Sequence, residues 1–519
     1  MKWSAISAAA AALLPLASGA GFTSEEYASG EVMDFMMAAK EDAWAKQRAI
    51  GNHDSKKWNG FGKKRKDKDV IKCKNGKAEA VKGDKNQTYS CKDIVSFERY
   101  QFEIAATDST FKDMYDFKTH AELGDAVGEG SGSWGWTHKK TGREFVAIGQ
   151  TYGAAFAEVT KKGQLEYLGR LPASNDSVIW REIKKVGDTL IVGSEGAGHG
   201  IQFFDMKKLL NLSPKNPKTF DVKKDIGWMN ITDGIPGRSH NVVANEELGY
   251  AVAVGCGGRP GRNDTCAGGP IFINMDDPYK PYQTGCAPQD GYTHDAQCIV
   301  YRGPDKKYFG RDICYGYNED TLTIYDVTNK NGPNAAKIIS RTPYVGASYT
   351  HQGWVLDPMW QTHLVMDDEL DEGEIDPART APDSPAKDGF PVTYIWDITS
   401  LEKPKNSGYY KSSTRSVDHN QFVHEGLAYQ SNYQAGLRIL DVSSIPQNPD
   451  GSKVEEIAYF DVYPQDDALP GKGSAVWDSG TWSHFTFDSG YTVINTIDRG
   501  AFVVKPKFGR GKGKYWRKH

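Results

Sequence analysis

Beyond its first twenty residues the chain has no apolar run approaching the roughly 18 residues that a membrane-crossing helix needs. It also lacks a dominant charge. Its 63 basic and 67 acidic side chains leave a formal −4, which removes the electrostatic case for a nucleic-acid partner. Cysteine is scarce, at seven in 519 residues, and no zinc-type CxxC pair is among them. No Gly-x-Ser-x-Gly elbow offers a nucleophile, and "GAGHG" at 196–200 has no helix behind it to cradle a phosphate. What the chain does have is 55 glycines and 12% aromatics beside 39% hydrophobic residues, a composition of strands and turns. Its length suits two or three domains, or one large repeat architecture with appendages.

The start of the chain addresses the compartment. Met1-Lys2, the apolar "AISAAAAALLPLA" and the small residues of "ASGA" make residues 1–20 a secretory signal peptide, cut near Gly19 to Gly21. Acceptor sequons at Asn86, Asn175, Asn211, Asn230 and Asn263 agree with export, although Pro214 weakens the one at Asn211. An oxidising compartment also lets cysteines pair. Cys73 with Cys91 reads as a local loop disulfide, and Cys298 with Cys314 as a bond across adjacent strands. Cys256, Cys266 and Cys286 leave one odd thiol, and their pairing stays open. The expected product is a soluble, secreted monomer.

Repetition is the strongest signal. Seven segments open with a polar or aromatic residue and then run as a short strand: "SWGWTHKK" from Ser133, "IWREIKKV" from Ile179, "SHNVVANE" from Ser239, "THDAQCIVY" from Thr293, "THQGWVLD" from Thr350, "DHNQFVHEG" from Asp418 and "TWSHFTFD" from Thr481. Each is followed by a turn, a second strand and a third, such as "TLTIYDV", "VTYIWDI" or "GLRILDV". Intervals of roughly 45 to 68 residues between such units indicate an all-β, seven-bladed β-propeller over 113–506. The last unit lacks a fourth strand, and residues 114–123 match it in character. They are expected to be the outer strand of the last blade, which removes two exposed sheet edges. Ahead of the propeller lie a helical and basic extension at 21–70 and a disulfide loop with an insertion at 71–112; a basic tail follows at 507–519. The helix from Thr23 carries Met33, Phe35, Met36 and Trp44 on one side and is expected on the propeller's outside. The basic stretch 56–69 reads as a solvated linker, with a processing or anionic-glycan site as the second reading.

The innermost strand of each propeller blade lines the axis. On that alignment Trp136, Arg181, His240, His294, His351, His419 and either Ser483 or His484 meet around one mouth. Of twelve histidines, four or five fall into this single structural slot. Neutral imidazole is the commonest transition-metal ligand, so His240, His294, His351 and His419 are candidate ligands for a divalent ion such as Zn²⁺. Asp295, Asp418 and Glu182 could serve as partners to it. "MDDELDE" offers Asp367, Asp368 and Glu369 as a second, oxygen-rich cation candidate of Ca²⁺ type. Two plainer alternatives stand beside these: a wet polar core of hydrogen-bonded His, Trp and Arg, and a solvated acidic loop.

These motifs resemble the LVIVD-repeat, or choice-of-anchor B, proteins of bacteria and fungi, and the Cys73–Cys91 segment resembles the fungal branch. The stretches that carry the likeness include "GEGSGSWGW", "SEGAGHGIQFFD", "YTHDAQC", "YTHQGWVLD", "DDELDE", "DHNQFV" and "TWSHFTFDSG", spread over about 114–505. The resemblance implies a propeller and secretion, and no reaction. One departure is "VSFERYQFEIAATDSTFKD" at 95–113, which separates "CKDI" from "MYDFKTHAELG" where fungal relatives run straight on. It reads as a loop insertion or as a retained intron. The function expected is binding of an extracellular ligand, metal ion or cell-wall or surface partner at the His-rich mouth. The alternative is a metal-dependent extracellular hydrolase, lactonase- or phosphoesterase-like, in which an ion lowers the pKa of its water; an adhesion scaffold is a third.

Overall fold

The structure is a computed structural model that describes residues 21–54, 71–92, 111–125, 129–175, 177–257, 265–373 and 375–515. The expected signal peptide, Asn263, the basic stretch 56–69 and most of the expected insertion at 95–113 lie outside the described residues.

Apolar and β-branched residues fill both faces of the repeated strands. Thr321–Asp326, for example, is buried at every position. Strands buried on both faces need cover from both sides, and the described residues meet that need with seven sheets, antiparallel but for one short parallel pairing at the edge of the first. Their first strands are Gly130–His138, Arg181–Val186, Asn241–Asn245, Asp295–Val300, Thr350–Val355, Gln421–His424 and Thr481–Thr486. The third to sixth sheets are meanders in which neighbours in sequence are neighbours in space; the first adds Lys218–Thr219 beside Leu165–Pro172, and the second passes from Ile201–Asp205 to Ile226–Met229 around that strand. The first strands lie beside one another in chain order through the sixth sheet. Thr481–Thr486 lies against Leu427–Ser431 on one side and Gly130–His138 on the other. This is the architecture of a β-propeller. Between consecutive sheets the packing is aromatic and aliphatic: Phe145, Phe156, Leu190, Phe204 and Phe220 interlock between the first and second.

The seventh sheet draws on both ends of the chain. Phe111–Lys118 pairs antiparallel with Ala501–Pro506, with Phe502 opposite Phe117 and Val504 opposite Met114. The strand begins and ends a few residues earlier than 114–123, and residues 119–124 turn. Outside it, Ile71–Lys74, Lys77–Glu79 and Thr88–Ser90 extend the same sheet. The Cys73–Cys91 disulfide fastens this extension, so residues 71–91 belong to the last sheet and are not a separate loop. Cys298–Cys314 links directly opposed residues of neighbouring strands. The pairing left open by spacing is Cys266 with Cys286. Cys256 stays outside the disulfides, buried, with its Sγ 3.6 Å from the Val254 carbonyl.

The N-terminal segment departs from expectation. It forms two helices, Ser24–Ser29 and Glu31–Ala49, joined by Gly30, whose φ of 80° only glycine adopts without strain. Thr23 and Glu26 build a reciprocal capping box at the start. The long helix does not lie on the outside. Its Val32, Met33, Met36 and Trp44 pack against Trp180, Tyr292, Tyr349, Val417, Tyr433, Trp477 and Trp482. Most of these stand at or just before the first strands of different sheets, so the helix crosses the axial mouth. The physical reason is the lip itself. Its ring of large aromatics would face water without a cover, and one apolar helix face buries them together.

Candidate functional site

The first strands bring four imidazoles into one file around the mouth. Ring centroids are 4.4 Å apart for His240 and His294, 4.5 Å for His294 and His351, and 4.4 Å for His351 and His419. Each Nδ1 is tied outward: His240 to Glu195 Oε1 at 3.0 Å, and His294 to the His351 carbonyl at 2.7 Å. His351 reaches Asp367 Oδ2 at 2.9 Å, and His419 the Trp482 carbonyl at 2.6 Å. A carbonyl can only accept, so the Nδ1 of His294 and His419 must carry the proton, leaving Nε2 as the lone-pair nitrogen. Burial pushes His351 down to about 3 and His294 and His419 well below the usual imidazole range, so these rings are neutral near pH 7.

Glu369 stands where the rings point. Its carboxylate oxygens lie 3.8 Å from His351 Nε2 and 3.6 Å from His419 Nε2. Among the described residues, His351, Glu369 and His419 are the one group whose donor atoms all fall within 4.8 Å of one another. Two nitrogens and a carboxylate are a donor set that Zn²⁺ and similar ions accept. A cation from the chain is already there. Lys40 Nζ, from the long helix, contacts both Glu369 oxygens at 2.6 and 2.7 Å, and the Tyr433 hydroxyl donates to one of them. Rings of Trp477, Trp482 and Tyr433 surround the ammonium at 5.6 to 5.8 Å. Burial alone would raise the Glu369 carboxyl. Lys40 above all, with His351 and His419, outweighs it and holds Glu369 down at about 2.

Other residues expected at the mouth are elsewhere. Trp136 lies in the core between the first two sheets, its indole nitrogen 3.0 Å from Asp188. Arg181 is buried and turned sideways to the Gln150 carbonyl and His199, and burial lowers its guanidinium to about 10. His484 faces the sixth sheet, 2.8 Å from Ser431 Oγ; Trp482 holds the ring position instead, since its carbonyl receives His419. Ser483 bridges to the first sheet through Ser133 Oγ and the Ser131 carbonyl. Asp295 is buried one residue below His294, and burial raises it to about 7. Farther along the strands, Trp134 and Trp354 both meet Phe422, at 5.2 and 5.1 Å, with Lys184 over Trp134.

"DDELDE" is neither a solvated loop nor a single oxygen cluster, because its members turn apart and all are buried. Asp367 orients His351 and accepts from the Gln352 amide. Asp368 caps the Ser348, Tyr349 and Leu370 amides and takes the Tyr344 hydroxyl. Glu369 alone faces the Nε2 atoms of His351 and His419. Asp418 sits behind them beside Glu372. Lys40 and Tyr433 escaped the sequence reading. The signal for Lys40 was a lysine in line with Met33, Met36 and Trp44 on the apolar helix stripe.

No family model matches the chain and no curated protein does, so the LVIVD-repeat reading rests on its motifs alone. Solved structures that resemble it include the β-propeller domain of Myceliophteria thermophila Cps50 (Swd1), at 10% identity and a TM-score of 0.41, covering 73% of this chain and 96% of that one. The computationally designed Ika8 protein gives 8% and 0.39, with 73% and 84% covered. YCF48 bound to D1 peptide gives 10% and 0.38, with 70% and 88%. At these scores the fold assignment stands on the sheets themselves.

Proposed function

We propose that this chain is a secreted, glycosylated, seven-bladed β-propeller of LVIVD-repeat type, closed through residues 111–118, that binds a transition-metal ion or an extracellular partner at its His-rich mouth. The observation that carries the reading is the convergence of His351, His419 and Glu369 donors within 4.8 Å. Three disulfides, exposed sequon asparagines at 86, 175, 211 and 230, and the absence of any membrane-length apolar helix among the described residues are in keeping with export. The long helix keeps the site shut, with Lys40 in the place an ion would take. Turnover of a substrate needs an open coordination position and a path to it, and the seated helix supplies neither, so binding is preferred to hydrolysis.

Metal analysis of untagged protein tests this. Lys40→Met should co-purify with near-stoichiometric zinc, copper or iron, wild type with less, and adding His351→Ala and His419→Ala should abolish it. A Lys40→Met protein that holds no metal and whose Tm ignores added Zn²⁺ would overturn the reading.

A further inference from the structure

Behind the mouth, between the fifth and sixth sheets, four buried oxygens accept no hydrogen bond from the described residues: Asp371 Oδ1, Glu372 Oε2, Asp418 Oδ1 and Asn432 Oδ1. Their residues are at most 2% exposed. Asp371 and Glu372 follow the second strand of the fifth sheet; Asp418 precedes the sixth sheet's first strand and Asn432 follows its second. Asp371 Oδ2 is fixed by the Tyr394 hydroxyl at 2.5 Å, and Glu372 Oε1 by the Asp418 amide at 3.3 Å, so in both residues the other oxygen is the one left over. Asp418 and Asn432 share the wall of a cavity of about 10 Å³, room for one water or one ion. Arg438 also lines it, with its guanidinium directed to Glu456 and Asp461.

Three carboxylates buried together, none in an ion pair among the described residues, are costly unless a cation or shared protons compensate them. Unpartnered acceptors that are all oxygen, with no nitrogen or sulfur, suit a hard ion. We propose that Asp371, Glu372, Asp418 and Asn432 form a calcium-class cation site, separate from the His351–Glu369–His419 group and independent of the reading of the mouth. Among the described residues only that other group has its donors all within 4.8 Å, so the acidic set would close on an ion by rotation of its carboxylates.

Full-length protein stripped with a chelator, then titrated with CaCl₂ or MgCl₂ by calorimetry and thermal unfolding, decides the matter. One equivalent of Ca²⁺ should bind and raise Tm by roughly 2 °C or more. Glu372→Gln should weaken binding at least tenfold, while His351→Ala should leave it intact. Asn432→Ala, a milder change, should weaken it in the same direction and serves if Glu372→Gln does not fold. Absence of heat and of any Tm shift up to about 10 mM Ca²⁺, above the affinity range of extracellular calcium modules, would refute the site. So would binding that survives both variants. Loss of binding in His351→Ala would assign the ion to the mouth instead.

Discussion

Glu369 and Glu372 are three positions apart, fully buried, and opposite in charge behaviour. The first is held down at about 2. The second is pushed well above the ordinary carboxyl value, by burial first and then by Asp371 and Asp418. Both have lost water equally, so burial does not set the difference; the partner does. Glu369 has a lysine, two imidazoles and a tyrosine hydroxyl, whereas Glu372 has two more carboxyls and one amide. Within one loop the fold supplies a built-in cation to one group and leaves the other to protons or an ion from solution.

The comparison is broken most severely by removing the lysine. Lys40→Met leaves Glu369 as a buried charge without its counter-ion and should cost about 3–5 kcal/mol in denaturant unfolding when metal is excluded. Adding Glu369→Gln should recover much of that, and a double variant no more stable than the single one would deny the pairing. Acid unfolding sharpens the same contrast. The Glu369 carboxyl is depressed below its ordinary 4.5, so its contribution is complete above that pH and is lost as the pH falls toward about 2. Glu369→Gln should therefore flatten stability over that window, measured by chemical denaturation at stepped pH, and an unchanged acid limb would count against it. The smallest effect belongs to a pair in water. Lys46 and Asp42, about 70% exposed and 2.6 Å apart on the same helix, should contribute at most about 0.5 kcal/mol, so Lys46→Ala is the control that separates buried from surface pairing.

Strand order and the shared histidine phase could be read from sequence because each unit repeats the same local pattern, and His240, His294, His351 and His419 do stand in one file. One position was misjudged for a local reason. A register shift at Thr481/Ser483 adds one residue to the first strand of the seventh sheet, so counting along the strand pointed to His484 where the Trp482 carbonyl meets His419. The helix seat was illegible for a different reason. Its receptor is assembled from Trp180, Tyr292, Tyr349, Tyr433 and Trp482, which come together only after the sheets form. No window of sequence contains them, and Lys40 looked like a flaw in an apolar stripe until Glu369 was placed opposite it.

The seventh sheet carries a consequence in time. Met114 is made 390 residues before its partner Val504, and Trp44 bonds Trp477 across 433 positions. Contacts so distant in sequence form late and slowly. The strand at 111–118 must wait with an open edge until Ala501–Pro506 has been made. A chain cut before Ala501 should thus lose the order of residues 111–118 as well.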